Sequence, residues 1–264
     1  MQNRSKLCFS TLGCCDDTLD EIFALCKKFG IGNIEIRGIC GELNNCKIYD
    51  FAPEKVAATA EKFKNAGIKP AVLGTSCEFH KDEKFDAAVA EGKASIEIAA
   101  KLGAKGIRVF GNRFGADREK STGRAILGIK MLCDYAKNKG VDVLLETHGD
   151  FNTVEALSPI VEALADEPRF GIIWDIEHTD SAKYAEFYEF AKPFIRHVHV
   201  KDSGEKGLTL VGEGNLPIKP IVEMMLGGAY DGLFSLEWEK KWHPELPDIE
   251  IALEKFVGVF DGIL

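Results

Sequence analysis

The chain has 264 residues, 45% of them hydrophobic and 28% charged, a balance that supports a sizeable core and excludes disordered, collagen-like and small disulfide-stapled classes. Lysine plus arginine total 33 against 42 for aspartate plus glutamate, a net charge of −9. With no basic run to offset that charge, nucleic acid is a poor partner, and no apolar run approaches the ~18 residues of a membrane span.

Short β-branched or apolar runs alternate with longer amphipathic segments, and Gly, Pro or Asn mark many of the boundaries. The first predicted strand is Lys6 to Thr11. Thr18, Leu19, Ile22, Phe23 and Cys26 then recur at helical spacing until Gly30 and Gly32 end the helix before a strand from Asn33 to Arg37. A loop to Asp50 precedes a helix that starts around Pro53 and runs to Ala66, with Gly67 at its end. Strand Lys69 to Leu73, helix Phe85 to Leu102, strand Gly106 to Phe110, helix Glu119 to Lys139 and strand Val141 to Glu146 continue the rhythm. Helix Thr153 to Leu164, strand Phe170 to Asp175, helix Ser181 to Ala191 and strand Ile195 to Val200 follow. Beyond a glycine-rich loop come a helix from Pro217 to Leu226, a strand from Leu233 to Glu237 and a helix from Ile249 to Phe260.

Eight strands alternating with eight helices over about 250 residues have the size and order of a (β/α)8 TIM barrel. An open doubly wound sheet would need GxGxxG after an early strand, where this chain reads TLGCCDDT. With no linker-like stretch, residues 1–264 are expected to form a single α/β domain. Cysteines at 8, 14, 15, 26, 40, 46, 77 and 133 include no CxxC pair and are expected to be reduced thiols. With no export-type apolar region evident, a cytoplasmic location is expected.

In such a barrel the chemistry sits at the C-terminal strand ends. The last four strands read VDVLLETHGD, FGIIWDIEHTD, FIRHVHVKD and GLFSLEWEK, which sets Glu146, Asp175, His199 and Glu237 directly after apolar stretches. A single carboxylate there is an ordinary loop or cap residue. Three carboxylates and an imidazole meeting at one mouth would repel one another unless a cation neutralised them. One nitrogen and three oxygen donors suit one divalent metal ion, Mn(II) first, with Mg(II), Co(II) or Zn(II) as alternatives.

The segments LLETHGD, WDIEH, IRHVHVKD followed by VGEGNLPI, and SLEWE resemble the signature segments of the xylose isomerase-like barrel superfamily. The branch is that of sugar phosphate isomerases and epimerases, which includes ketose 3-epimerases and inosose dehydratases. The resemblance covers essentially the whole chain. It implies that Glu146, Asp175, His199 and Glu237 bind the metal and that Glu146 and Glu237 are also the catalytic acid/base pair. The implied activity is isomerisation or epimerisation of a sugar or sugar phosphate through an enediolate. A dehydratase or lyase acting on an inosose, keto-sugar or oxidised glycoside is the alternative. Abasic-site endonucleases of the same superfamily bind three metals with more histidines. Here strand four ends in Phe110, Gly111 and Asn112, and His199 is followed by Val200, Lys201 and Asp202 with no Asp-x-His pair, so that activity is the remote alternative. The expected partner is a small sugar or sugar phosphate, without nucleic acid or membrane; a homo-oligomer is left open.

Substrate-binding roles are assigned to His178, His148, Lys201, Glu213, Arg108 and Trp242. His178 stands three residues after Asp175, where the resemblance implies a substrate-binding histidine and a helix cap is the rival role. His148 shares a face with Glu146 if the strand continues, with a loop histidine as the alternative. His197 is assigned to the packed interior, with a donor role as the alternative. Lys201 is a candidate for holding a substrate oxygen or phosphate, and an exposed lysine is the rival reading. Arg108 needs a partner if buried and could support a ligand carboxylate, with structural pairing favoured. Glu213 in VGEGN lies on a loop over the mouth, where it can contact substrate hydroxyls or simply form a turn; Trp242 in KKWHPE lies on the loop after strand eight, where an indole can stack on a sugar, with subunit contact as the rival role. Trp174 and Trp238 are read as walls; Glu35, Arg37, Glu42 and His80 could each read sugar hydroxyls, with a solvated or structural role favoured.

Overall fold

A parallel strand buried on both faces needs apolar cover on each, and this chain provides it by following each barrel strand with a helix. The computed structural model describes residues 4–264. Strands β1 (Leu7–Ser10), β2 (Asn33–Ile36), β3 (Lys69–Glu78), β4 (Gly106–Phe110), β5 (Asp142–Glu146), β6 (Phe170–Asp175) and β7 (Ile195–Val200) are all parallel. After a small antiparallel hairpin, β8 (Asp202–Gly204) with β9 (Gly207–Thr209), strand β10 (Leu233–Leu236) joins β7 to β1. The closed order is β1-β10-β7-β6-β5-β4-β3-β2, the predicted (β/α)8 barrel.

The helices are α1 (Leu19–Phe29), α2 (Val56–Ala66), α3 (Phe85–Leu102), α4 (Arg118–Ala136), α5 (Val154–Leu164), α6 (Tyr184–Ala191), α7 (Ile218–Gly227) and α8 (Ile249–Asp261). Their ends follow local chemistry. Thr18 and Glu21 form a reciprocal capping box on α1, and Gly30 closes that helix with φ 66°. Pro159 lies inside α5 and removes the amide that would have bonded the Glu155 carbonyl. The Arg118 Nη2 donates to that carbonyl instead, at 2.9 Å. Helix α6 begins three residues later than the sequence suggests, because Asp180 turns the chain by accepting from the Ala182 amide with its side chain. Strand β3 runs on to Glu78, beyond the predicted Leu73, with a register shift against β4.

Alternation along the strands divides the buried residues into two layers. Ile34, Ile36, Ile107, Val109, Val143, Leu145, Ile172, Trp174, Val198, Val200, Phe234 and Leu236 face the helices and belong to the main apolar cluster. Full burial of such side chains contributes about 1.5–3 kcal/mol each. Cys8, Ala71, Val72, Leu144 and Ile173 form a separate small cluster inside the barrel. The other inward positions include Glu35, Arg108, Glu146, Asp175, His197, His199 and Ser235, all buried. The eight cysteines are free thiols. Among the described residues, no helix is long and apolar enough to cross a membrane.

Two polar devices hold the periphery. Arg4 grips Asp261 on α8 through Nε at 3.0 Å and Nη2 at 2.6 Å, and its Nη1 donates to the Phe29 carbonyl at the end of α1. Asp202, buried at the start of the hairpin, accepts from the amides of Ser203, Gly212, Gly214 and Leu216 at 2.9 to 3.2 Å. A side chain at Gly214 would collide with that carboxylate, so the second glycine of VGEGN is required by the close approach of backbone to Asp202. Asp202→Ala strands four amides at once. The expected result is a loss of about 2–3 kcal/mol in urea denaturation, with hydrogen exchange accelerated across residues 203–216. Unchanged protection there would show that the loop is held by other contacts.

Candidate active site and metal centre

Glu146 and Asp175 are the last residues of β5 and β6, His199 lies one residue before the end of β7, and Glu237 follows β10. These four strands are consecutive around the barrel. Asp175 and Ser235 both pair in register with His199, and the Glu237 amide continues the β7 ladder by donating to the Val200 carbonyl. One ligand atom from each of the four falls within 4.8 Å of all the others, and all four side chains are buried. His199 Nδ1 stands 3.1 Å from Glu237 Oε2, 3.4 Å from Glu146 Oε1 and 4.0 Å from Asp175 Oδ2.

Local bonds aim these groups. Asp175 Oδ1 accepts from the Glu177 amide at 3.0 Å, which leaves Oδ2 turned toward the cluster. Thr147 ties the ends of β5 and β6 together, its hydroxyl accepting from the Asp175 amide at 2.8 Å. Glu146 Oε2, Asp175 Oδ2, His199 Nδ1 and Glu237 Oε2 are each buried without a hydrogen-bond partner among the described residues. An unsatisfied buried group of this kind costs about 1–3 kcal/mol, more when charged. Four of them converging, three oxygens and one imidazole nitrogen, form a donor set that fits a divalent cation.

Two buried cations flank the set. Arg108 on β4 places Nη1 3.1 Å from Glu146 Oε2 and 3.2 Å from Glu237 Oε1, donates Nη2 to the Thr75 carbonyl, and lies over the Phe110 ring. Lys201 Nζ lies 2.8 Å from Asp175 Oδ2, 2.7 Å from Glu237 Oε2 and 2.6 Å from Glu239 Oε1. Its approach to Asp175 and Glu237 is Coulombic, since neither oxygen is met with hydrogen-bond geometry. Burial works against every charge here, and the opposite charges outweigh it. Arg108 foremost among its neighbours holds the Glu146 carboxyl below its ordinary range. His199 and Lys201 hold Glu237 well below. Glu237, Glu35 and Glu146 push the His199 imidazole well up, and Asp175, Glu237 and Glu239 do the same for the Lys201 ammonium.

The structure brings Arg108 and Lys201 into direct contact with the predicted ligands, both buried, Arg108 as the partner of two carboxylates and Lys201 not as an exposed lysine. His178 sits at the rim, its Nε2 3.8 Å from Asp175 Oδ2, and its ring packs edge-on against His148 at 4.6 Å. Burial lowers the His148 pKa from its ordinary value. The loop carrying His148 turns at Gly149, where φ is 62° and a Cβ would strike the Asn112 carbonyl. Glu213 lies in a turn in which the amides of Gly212 and Gly214 point in toward Asp202, and its half-exposed carboxylate meets Lys255 of α8 at 2.6 Å. Trp242 is exposed on the loop after β10, whereas Trp174 and Trp238 are buried walls bonded to Thr179 and to the Pro247 carbonyl.

Sequence reasoning named Glu35 but missed its partners. Not solvated but fully buried on β2, it places Oε2 2.8 Å from His199 Nε2 and 3.0 Å from His197 Nε2. The signal for it was the alternation in NIEIR, which puts a carboxylate on the barrel side between two isoleucines that face the helices. A cavity of about 830 Å³ opens at the opposite, strand-start end of the barrel among Asn33, Lys69, Lys105, Arg196 and Leu233, and none of the four ligands lines it.

The family model described as xylose isomerase-like TIM barrel matches residues 23–256. Fructoselysine 3-epimerase of Escherichia coli O157:H7 is 28% identical over 123 residues, 44% of this chain and 45% of that protein, so the match spans less than half of the relative. The crystal structure of the probable 3-DHS dehydratase AsbF from Bacillus anthracis superposes with a TM-score of 0.80 at 16% identity, covering 97% of this chain and 98% of the other. That of the IolI protein with a bound zinc atom gives 0.77 at 21% identity, covering 97% of each chain. With eight parallel strands closed in order and a family match across most of its length, this chain belongs to the xylose isomerase-like TIM barrel family.

Proposed function

We propose that this protein is a divalent-metal-dependent isomerase or epimerase of a sugar or sugar phosphate, working through an enediolate. The observation that carries the reading is the convergence of four buried ligand atoms, none with a hydrogen-bond partner among the described residues, from Glu146, Asp175, His199 and Glu237. The relatedness to a 3-epimerase supports it. Mn(II) is the preferred ion for a mostly oxygen donor set, and Zn(II) has a precedent in the IolI structure. When bound, such an ion polarises a substrate carbonyl and makes the proton on the neighbouring carbon more acidic.

Glu146 and Glu237 stand at the two ends of the four-strand arc, and both are held ionised by their neighbours. One, as the carboxylate, removes the proton from the carbon beside the carbonyl, and the other takes up a proton from solvent and delivers it to the opposite face, which inverts the centre. Return of the proton to the adjacent carbon instead exchanges an aldose and a ketose. Arg108, in contact with both carboxylates, keeps them ionised before substrate arrives. Lys201, His178 and His148 line the approach as donors to substrate oxygens.

A second reading rests on Lys201. A buried ammonium 2.7 Å from Glu237 can give a proton to a departing β-hydroxyl, and the same first step then ends in dehydration. The ultraviolet absorbance of an unsaturated ketone separates that outcome from epimerisation.

Glu146→Gln and Glu237→Gln are each expected to lower turnover about 10²–10⁴-fold with an unchanged circular dichroism spectrum. Near-normal activity in either variant would remove that residue from the acid/base pair. Chelator-treated protein is expected to lose solvent-deuterium wash-in at the carbon beside the carbonyl of its ketose, and added Mn(II) to restore it. If ketoses, their phosphates and inososes show neither exchange nor elimination with Mn(II), Mg(II), Co(II) or Zn(II), both readings fail.

A further inference from the structure

Glu35 reaches His199 from β2, three positions around the barrel from β7, by crossing the interior. Its Oε2 lies 2.8 Å from His199 Nε2, 3.0 Å from His197 Nε2 and 3.3 Å from Ser235 Oγ. Ser235 is the register partner of His199 on β10, so three groups on two neighbouring strands meet one oxygen. Glu35 and His199 are 0% exposed and His197 is 2% exposed, so these contacts are shielded from bulk water.

An ionised carboxylate only accepts hydrogen bonds, so an imidazole nitrogen facing it must carry its proton there. For His199 that nitrogen is Nε2. The other, Nδ1, is the atom directed at Glu237, Glu146 and Asp175 and the one left without a hydrogen-bond partner. A histidine whose second nitrogen donates to a carboxylate presents a fixed, electron-rich lone pair, and loss of such a partner typically weakens metal binding 10–100-fold. His197 Nε2 donates to the same oxygen and braces it from below.

We propose that Glu35 is a positioning residue of the metal centre: by accepting from Nε2 of both His199 and His197, it turns His199 Nδ1 toward the three carboxylates and thereby sets the affinity for the divalent ion, without touching ion or sugar. The proposal rests on the metal-dependent reading of the site.

Titration of wild type and Glu35→Gln with Mn(II) and Co(II), by calorimetry and by competition with a chromophoric chelator, tests it without reference to any sugar. Glutamine keeps the shape of the side chain but presents an uncharged oxygen and a donor nitrogen, so it serves two imidazole N–H groups poorly. The expected result is 10–100-fold weaker binding and an altered visible spectrum of the Co(II) form, with circular dichroism unchanged. Affinities equal within about twofold, with only the melting temperature of the metal-free protein altered, would make Glu35 a structural residue and overturn the proposal. Should the variant not fold, wild type itself decides the matter. In Zn(II)-loaded protein with ¹⁵N-labelled histidine, one imidazole is expected to carry metal on Nδ1 and an exchange-protected proton on Nε2; metal on Nε2 would overturn the proposal. Wild type that binds none of these ions refutes both the proposal and the metal-dependent reading, whereas wild type that binds and a Glu35→Gln variant that binds equally refutes the proposal alone.

Discussion

Everything in the interior of this barrel is conditioned by the burial of Glu35, Glu146, Asp175 and Glu237 in one enclosed space. Removing a carboxylate from water costs several kcal/mol even after relaxation, and an isolated one would simply take up a proton. Arg108 and His199 keep Glu146 ionised, His199 and Lys201 keep Glu237 ionised, and His199 and His197 do the same for Glu35. The attraction of a unit pair at about 3 Å is of the same order as the cost, roughly 5 kcal/mol at an effective dielectric near 20. Such near-balance means that the charges add little net stability and instead demand geometry. Gly74 shows the demand reaching the backbone: a Cβ there would lie 2.6 Å from Cδ of Arg37, so the strand gives up a side chain to let a guanidinium through.

Stability has to come from elsewhere, and the alternation of the strands provides it. The positions between the charged ones carry isoleucine, valine, leucine, phenylalanine and tryptophan into the layer under the helices. Along β7, for example, Val198 and Val200 anchor the strand outward while His197 and His199 face inward. Exchange of an outward residue is therefore a problem of volume, with costs that scale with the cavity left behind. Exchange of an inward one is a problem of charge, in which the partner left behind suffers most. The two problems are separable because neighbours along a strand point to opposite faces, and this lets chemistry accumulate inside the barrel without weakening the layer that holds it.

The same alternation decides what could be read from the sequence. Glu146, Asp175, His199 and Glu237 are visible because each ends an apolar run, and the ends of parallel barrel strands share one rim. The fold was visible for the same reason, down to the residue limits of β6, β7 and α3. Pro159 does not break α5, and what satisfies the carbonyl it orphans is not local: Arg118, 41 residues earlier, reaches it with its guanidinium. The setting of Glu213 was not legible because the turn around it is shaped by Asp202, an acidic residue that reads locally as a loop carboxylate. Glu35 is the most instructive case. Period-two alternation assigns it to the barrel side, but its partner is 164 residues away on a strand that approaches only when β1 and β10 close the ring. A sequence window reports the face and polarity of a residue. The pairing of two charged groups across a barrel is a property of closure, since it depends on the strand order and register of every element between them.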